Sequence, residues 1–448
     1  MTTAPPPSPG RPATAARRTT YRAVLAEPRF RLLFLTRVLG VTAGSLRITT
    51  FSVLVFTGTG SVLLSTVAFG AGFLPQLFGS LFFGSLADRL PPRAVIACGY
   101  LLEGAVAALL GLVRLPTAAG LASVALVALA APVSTGASAR LIARWLTGDA
   151  YVFGRALNNM ASSGAQLFGL ALGGAVVEAL GPREALAIGA ALNLLCAVTV
   201  RLRMPQVPAE REARDGTSGG TSGGPGFDAS GNAGGGAGGD AGEGGAVRTS
   251  LRGGGALLRD HAVRRLLLAQ WLPSACVAGA EGLIVAYAGT RGFPAGSYAV
   301  LLACLPVGML LGDLFAGRLL RPSVRERLVV PLIALMGLPL VGFAAQPGRT
   351  VSAVLLLLTG CGFAYGLGLQ REFLAALPEH GQGLAFGLLG SGTMTLQGIG
   401  PVCFGAVAAV GGTGGAMALA GAGVLLTAVW VPTWRRADRT AVSVSGTS

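Results

Sequence analysis

The chain has 448 residues and a formal net charge of +15, yet only 12% of its residues are charged and its mean hydropathy is +0.65. Soluble domains are usually about one quarter charged, so this composition excludes an ordinary soluble enzyme, and its high hydrophobicity excludes general disorder. All 34 basic residues are arginine, and a basic balance of this size leaves nucleic-acid binding open until the arginines are placed along the chain.

Twelve apolar segments follow one another, each close to the roughly 20 residues that cross a bilayer as a helix. Interior glycine and proline are tolerated in such helices, and the runs lack the alternation of strands. The sequence therefore predicts an all-α membrane protein with 12 transmembrane helices in two pseudo-symmetric six-helix bundles. The predicted spans are 32–56, 61–83, 94–113, 117–139, 156–179, 183–202, 266–289, 297–317, 328–345, 351–370, 384–409 and 414–433.

The arginines are divided unequally between the two sides of this topology. Twenty-eight of them share the side of the N-terminus, four lie on the other side, and two lie within the first helix. The positive-inside rule then predicts a multi-pass protein of the cell membrane with both termini in the cytoplasm. Because the arginines are spread over many short loops, we expect no nucleic-acid partner.

Composition along the chain predicts five regions. Half of positions 216–245 are glycine, which is typical of a flexible tether that buries no apolar surface. The regions are a disordered cytoplasmic N-terminus at 1–30, a first bundle at 31–203, a Gly-rich cytoplasmic linker at 204–258, a second bundle at 259–434 and a cytoplasmic tail at 435–448.

The two bundles resemble each other in sequence. Three matches at offsets of 229 to 234 residues indicate a six-plus-six duplication, an architecture found in transporters. The matching segments are 31–37 with 265–271, 79–84 with 312–317, and Gly154 and Gly169 with Gly383 and Gly398.

The loop after the second helix has the sequence Gly84-Ser-Leu-Ala-Asp88-Arg89-Leu-Pro-Pro-Arg93. It resembles the signature loop between helices 2 and 3 of the major facilitator superfamily, and departs from it at its two prolines. The resemblance implies that the loop is a conformational latch, in which Asp88 pairs with arginines such as Arg144. The predicted latch residues are Gly84, Asp88, Arg89, Arg93 and Arg144.

Helix 5 carries a glycine pattern that resembles an exporter motif of the same superfamily, with Leu170 in place of its proline. Tight helix packing explains these glycines equally well. The stretch 155–183 resembles the 12-helix drug-efflux branch, including macrolide-type exporters. That resemblance implies proton-coupled antiport of amphipathic molecules, driven by a proton gradient without a cofactor. The patterned glycines are Gly164, Gly169, Gly173 and Gly174.

Ionisable groups within membrane helices are functional candidates, because they are costly to bury. At the 234-residue offset Arg47 corresponds to Glu281, and we expect the two to pair across the pseudo-twofold axis near the substrate cavity. In this hypothesis Glu281 alternates between a paired carboxylate and a protonated carboxyl, while Arg47 stays charged. A local role for each residue alone is the alternative.

Four further polar side chains complete the candidate set. Arg37 and its repeat mate Gln270 either line the cytoplasmic half of the cavity or reach towards the membrane surface. We expect Glu103 to face helix 2 or helix 4, with a structural role favoured. Asn159 in helix 5 is a candidate for substrate contact or for a hydrogen bond between helices.

Enzyme motifs are absent from the sequence. Without lysine there is no Walker-type phosphate loop, which excludes ATP-driven transport by this chain. The six cysteines form no CxxC, and no metal site is predicted. The partners expected are the lipid bilayer, a small-molecule substrate and protons, with the chain a monomer. An importer or symporter of the same fold, and a non-transporting protein such as a lipid scramblase or sensor, remain alternatives.

Overall fold

A computed structural model describes residues 21–83, 90–146, 149–206, 255, 257–294, 297–377 and 382–445. Within these residues the secondary structure is helical, and no strand occurs. The helices of the first half are α1 Tyr21–Ala26, α2 Pro28–Thr59, α3 Val62–Gly70, α4 Leu74–Phe83, α5 Pro92–Leu112, α6 Thr117–Trp145, α7 Asp149–Leu180 and α8 Pro182–Arg203. Those of the second half are α9 His261–Thr290, α10 Ser297–Leu319, α11 Pro322–Val341, α12 Arg349–Cys361, α13 Tyr365–Ala376, α14 Gln382–Gly411 and α15 Thr413–Ser445.

The helix ends follow from local sequence. Proline fixes a helical φ and lacks the amide that a first turn leaves unpaired, so it begins helices readily. The side chain of Asp260 caps α9 by accepting from the Ala262 and Val263 amides, at 2.8 and 3.2 Å. Gly60 ends α2 in the left-handed region, with φ at 66°. The prolines at the first helical position are Pro28, Pro92, Pro182 and Pro322.

In the part of the chain that the structure describes, eleven helical stretches are long and apolar enough to cross a membrane, and α7 contains a shorter apolar helix over Gly164–Leu180. The predicted all-α membrane class is confirmed, and the eleven stretches together with the shorter helix in α7 match the predicted count of 12. Two predicted spans are each made of two helices. The span predicted at 61–83 is interrupted between α3 and α4, and the span predicted at 351–370 by a 3-10 turn over Gly362–Ala364.

Two predicted regions fall largely outside the described residues. They are the disordered start, on residues 1–20, and most of the Gly-rich linker, on residues 207–254. The helices described before and after the linker form the two halves discussed below.

Equivalent contacts occur in the two halves, as a duplication predicts. A Cβ at Gly79 of α4 would strike the Leu129 carbonyl of α6. A Cβ at Gly312 of α10 would strike the Cys361 carbonyl of α12. The two glycines are 233 residues apart and their partners 232, so the second and fourth spans of each half pack through the same small-residue contact.

The two halves touch near the membrane side remote from the start of α2, which we call the far side; the other is the terminal side. The Phe56 ring, near the end of α2, packs against Gly289 near the end of α9. Thr66 of α3 meets Gly405 of α14, and Leu74 of α4 meets Gly398. These contacts join the halves through the far-side ends and the middle of their helices.

Candidate functional site

A buried charged site lies inside the first half, where α2 packs on α5. The Tyr100 ring fills the space beside Gly40, and the Glu103 Oε2 atom would lie 3.4 Å from a Cβ at Gly44. Arg47 follows at the next helical step, and residues spaced by three and four share one face of a helix. The glycines therefore turn the Arg47 face of α2 towards Tyr100 and Glu103.

Arg47 and Glu103 are both enclosed and both incompletely hydrogen-bonded. Arg47 is 3% exposed, and its Nε and Nη1 atoms are buried without a hydrogen-bond partner among the described residues. The same residues offer no partner to the buried Glu103 Oε2 atom. The charges act on each other electrostatically, but the two side chains form neither a hydrogen bond nor an ion pair. The interior of this half thus holds a guanidinium and a carboxyl group that are not joined by a charge-assisted hydrogen bond.

This arrangement differs from the expected Arg47–Glu281 pair. Among the described residues, the carboxylate that acts on Arg47 is that of Glu103, and none of their charged groups acts on Glu281. The contact that the structure gives for the Glu103 carboxyl is with Gly44 of the first span, whereas the sequence analysis expected it to face the second or fourth. The physical reason is that Gly40 and Gly44 leave room on this side of α2 for the side chains of α5, so Arg47, which shares their face, is turned towards α5.

Arg37 lies nearer the terminal side and bridges two other helices. Its Nε donates to the Ser162 hydroxyl of α7 at 3.4 Å, and its Nη1 donates to the Thr135 hydroxyl of α6 at 3.2 Å. The charges of Arg37 and Glu103 also act on each other. Arg37 thus joins the first, fourth and fifth spans through neutral partners.

Three polar groups that the sequence analysis missed surround this charged site. The Thr36 hydroxyl donates to the Leu32 and Leu33 carbonyls at 3.0 and 3.1 Å, and the Cys196 thiol of α8 donates to the Thr36 carbonyl at 3.6 Å. Asn193 of α8 is fully buried and its Oδ1 atom has no partner. Thr36 lies next to Arg37, but single polar residues in apolar helices give no sequence signal of their partners.

A cavity of about 180 Å³ lies in the second half. Its lining is neutral, with amide and hydroxyl groups beside an aromatic and an aliphatic side chain. The predicted residue Gln270 takes part in it, whereas the others were not predicted. Ser274 was detectable, because it follows Gln270 by four residues on the same helical face. The lining residues are Gln270, Ser274, Phe363, Tyr365, Gly366, Leu389 and Thr393.

The cavity wall is held by hydrogen bonds between helices. The Tyr365 hydroxyl donates to the Gln270 carbonyl at 3.0 Å, across the gap between α13 and α9. The Trp271 indole N–H donates to the Leu389 carbonyl of α14 at 3.0 Å. Pro273 interrupts the α9 hydrogen-bond ladder at this level, and the turn before Tyr365 interrupts the tenth span. The cavity is therefore built where two helices are irregular.

Polar groups continue from the cavity towards the middle of the membrane. Glu281 shares the α9 face of Gln270 and Ser274, at helical spacings of eleven and seven, and its Oε1 is buried without a partner. Gln397 lies one turn beyond Thr393 on α14 and also has a buried oxygen without a partner. The side chain of the predicted residue Asn159, on α7, lies outside the described residues.

The predicted latch is only partly described, because Gly84, Asp88 and Arg89 lie outside the described residues. Arg93, in the first turn of α5, donates to the Arg201 carbonyl at the end of α8. Arg144 is exposed in the last turn of α6.

The terminal side of the second half carries an ion pair that the sequence analysis did not predict. Arg371 at the end of α13 lies 3.5 Å from Glu326 of α11, measured from Nη1 to Oε1. Arg325 binds the Leu320 and Gly317 carbonyls at 3.0 and 2.7 Å, which closes the end of α10. Arginine at the terminal side thus joins the third and sixth spans in the first half, and consecutive spans in the second half.

The patterned glycines of α7 occupy different environments. A Cβ at Gly169 would lie 2.5 Å from the Thr42 carbonyl oxygen, and one at Gly173 would lie 3.2 Å from the Leu46 Cα, both on α2. Gly174 is buried. Gly164 is exposed, with open space where a Cβ would stand. Close packing therefore involves Gly169 and Gly173, and not Gly164.

Comparison with known proteins identifies the family to which this helical fold belongs. The family model described as Major Facilitator Superfamily matches residues 32–371, which is more than half of the chain. The chain belongs to the major facilitator superfamily. No curated protein matched in a sequence search.

Solved structures of the superfamily share the fold at low sequence identity. The nucleoside transporter NupG, in a mutant form, aligns with TM-score 0.64 and 14% identity over 89% of this chain and 98% of that chain. An inward-facing bacterial homolog of the human lysosomal transporter Spinster aligns with TM-score 0.60 and 15% identity, over 91% and 95%. The xylose transporter XylE from E. coli, partially occluded and inward-open, aligns with TM-score 0.59 and 13% identity, over 90% and 99%. These likenesses concern the fold alone.

Proposed function

We propose that this major facilitator protein is a proton-coupled exporter of small amphipathic compounds, working by alternating access. The observation that supports proton coupling is the presence of two membrane-embedded carboxyl groups, Glu103 and Glu281, each with a buried oxygen that has no hydrogen-bond partner within the described part of the chain. Ionisable groups at such positions are costly, and in transporters they serve as ion or proton sites. A proton gradient supplies the energy, and no cofactor is required.

The neutral cavity supports the amphipathic substrate class. Gln270, Ser274, Tyr365 and Thr393 present hydrogen-bonding groups, whereas Phe363 and Leu389 present apolar surface. A site of this composition orients a ligand by a few polar contacts and takes most of its affinity from apolar burial. Export is supported by the resemblance of the 155–183 stretch to the drug-efflux branch.

Orientation in the cell membrane belongs to the same proposal. With the terminal side in the cytoplasm, as the arginine distribution favours, the contacts between the halves lie towards the outside. The structure then corresponds to a state whose halves are joined externally, and the cavity residues lie in the cytoplasmic half of the membrane. An exporter loads its substrate from this side.

Transport in membrane vesicles of both orientations tests the proposal. Inverted vesicles from cells that produce the chain should accumulate ethidium, an amphipathic dye, when respiration acidifies their interior, and vesicles from cells without it should not. Thr393→Val keeps the shape of a cavity side chain and removes its hydroxyl, so we expect a higher half-saturating concentration of dye. Accumulation confined to right-side-out vesicles would indicate an importer or symporter, and lipid movement without dye flux would indicate a scramblase.

A further inference from the structure

The interior of the first half carries more positive than negative charge. Among the described residues within its spans and away from their ends, the charged ones are Arg37, Arg47 and Glu103. Arginine stays protonated, so the two guanidinium groups exceed the single carboxyl whether or not that carboxyl is ionised. An unbalanced charge inside a membrane is costly, and a ligand of opposite charge offsets part of that cost. The composition of this half therefore favours an anionic ligand.

Arg37 is the arginine that a ligand can reach. Arg47 is enclosed, whereas Arg37 is partly exposed and its partner Thr135 is exposed. Arg37 lies nine residues after the start of α2, about 14 Å along the helix. Thr135 and Ser162 lie ten and thirteen residues from the terminal-side ends of α6 and α7. The Arg37 side chain therefore extends between helices at its own depth or deeper, and it does not reach back to the membrane surface.

The hydrogen bonds of Arg37 leave donors for a further partner. Ser162 and Thr135 are neutral, and within the described residues no carboxylate forms an ion pair with Arg37. The Arg37 Nη2 atom takes part in neither bond. The Ser162 hydroxyl accepts from the Arg37 Nε atom and donates to none of the described residues, whereas the Thr135 hydroxyl donates to the Ala131 carbonyl at 3.1 Å. A carboxylate could accept from both the guanidinium and the serine hydroxyl, and charge-assisted bonds of this kind are the strong ones.

The duplication relates this site to the neutral cavity of the second half. At the 233-residue offset of the small-residue contacts, Arg37 corresponds to Gln270, which lines that cavity. We propose, resting on the proposed function, that Arg37 and Ser162 form an anion subsite of the substrate cavity, and that the substrates are amphipathic monoanions carrying a carboxylate. The neutral wall receives the apolar body of such a molecule, and the charged wall receives its acid group.

A matched pair of ligands tests the subsite by binding alone. Dansylglycine carries a carboxylate, and dansylglycinamide has the same aromatic body with a neutral amide. Dissociation constants follow from the dansyl fluorescence of each ligand with purified full-length protein in detergent micelles, after subtraction of the signal from empty micelles. The unsubstituted protein is expected to bind the carboxylate about 10- to 150-fold more tightly than the amide, the range for a hydrogen bond to a charged group.

Substitutions assign this preference to Arg37. Arg37→Gln replaces the guanidinium by the amide found at its repeat mate, and the two ligands should then bind equally. Arg37→Lys keeps the charge and should recover part of the preference, which separates loss of the subsite from loss of folding. Arg291→Gln is the matched control and should keep the full preference, because Arg291 follows α9 on the far side, where it binds Gln346.

Transport separates this inference from the proposed function. A carboxylic acid that crosses a bilayer passively collects on the alkaline side, so accumulation of dansylglycine in inverted vesicles with an acidic interior indicates export. Equal binding of the two ligands by the unsubstituted protein overturns the anion subsite even if ethidium is exported. A preference that survives in Arg37→Gln, or is lost in Arg291→Gln, overturns it as well. Preferential binding of the carboxylate without accumulation of either dye refutes the proposed function and supports the subsite.

Discussion

Replacing Gly169 by alanine is expected to destabilise the first half, while the same change at Gly164 is expected to stabilise it slightly. Both residues lie on α7, so both substitutions gain about 1 kcal/mol of helix propensity. At Gly169 the new Cβ would lie 2.5 Å from the Thr42 carbonyl oxygen and 2.8 Å from the Ser45 Cβ. At Gly164 it would meet no atom within 4 Å.

The magnitude follows from the displacement that the new methyl group requires. Ordinary contact begins at 3.4 Å, so α2 and α7 must separate by 3.4 − 2.5 = 0.9 Å at Gly169. The blocking atom belongs to the backbone of α2, and it moves only with that helix. Overpacking of this kind costs about 1–3 kcal/mol, and this cost separates the free energies of unfolding of the two variants.

The comparison requires a reversible unfolding assay in mixed micelles, with helicity followed by circular dichroism. Because the propensity gain is common to both variants, the midpoint of Gly169→Ala should lie below that of Gly164→Ala. Equal stability of the two variants would refute the assignment of Gly169 to a close contact with α2.

Three smaller predictions concern individual bonds of the second half. Tyr365→Phe removes the donor to the Gln270 carbonyl, and thermal unfolding should show a loss of about 1 kcal/mol. Trp271→Phe removes the bond to the Leu389 carbonyl and should cost a similar amount in the same assay, while unchanged melting would indicate that water replaces the lost donor. The Arg371–Glu326 pair is exposed, with the arginine side chain 78% accessible, so a double-mutant cycle should give a coupling energy below about 1 kcal/mol.

The helices were predictable because bilayer thickness imposes their length and apolarity. The irregularities were not, since the turn at Gly362–Ala364 interrupts a run that is apolar throughout. Gln270 was found through the repeat, and the structure places it in the cavity. The repeat also suggested Glu281 as the partner of Arg47, but a register between halves does not determine which face of a helix is turned inward. That face depends on Gly40 and Gly44, because Tyr100 and Glu103 of α5 approach α2 where these glycines lack a side chain. The sequence alone does not show this contact.

The two halves share a fold but not their polar chemistry. The first half holds the arginines and the glutamate of the charged site, and the second half holds a neutral, largely open cavity. In the proposed exporter, a substrate in the neutral cavity and a proton on a buried carboxyl of the first half would be held by different helices. Coupling between them would then pass through helix movement, and α2 is suited to this because it carries Arg47 and also the Phe56 ring that packs against Gly289 of α9. Pseudo-symmetry supplies two similar bundles, and the few charged residues within the membrane are placed unequally between them.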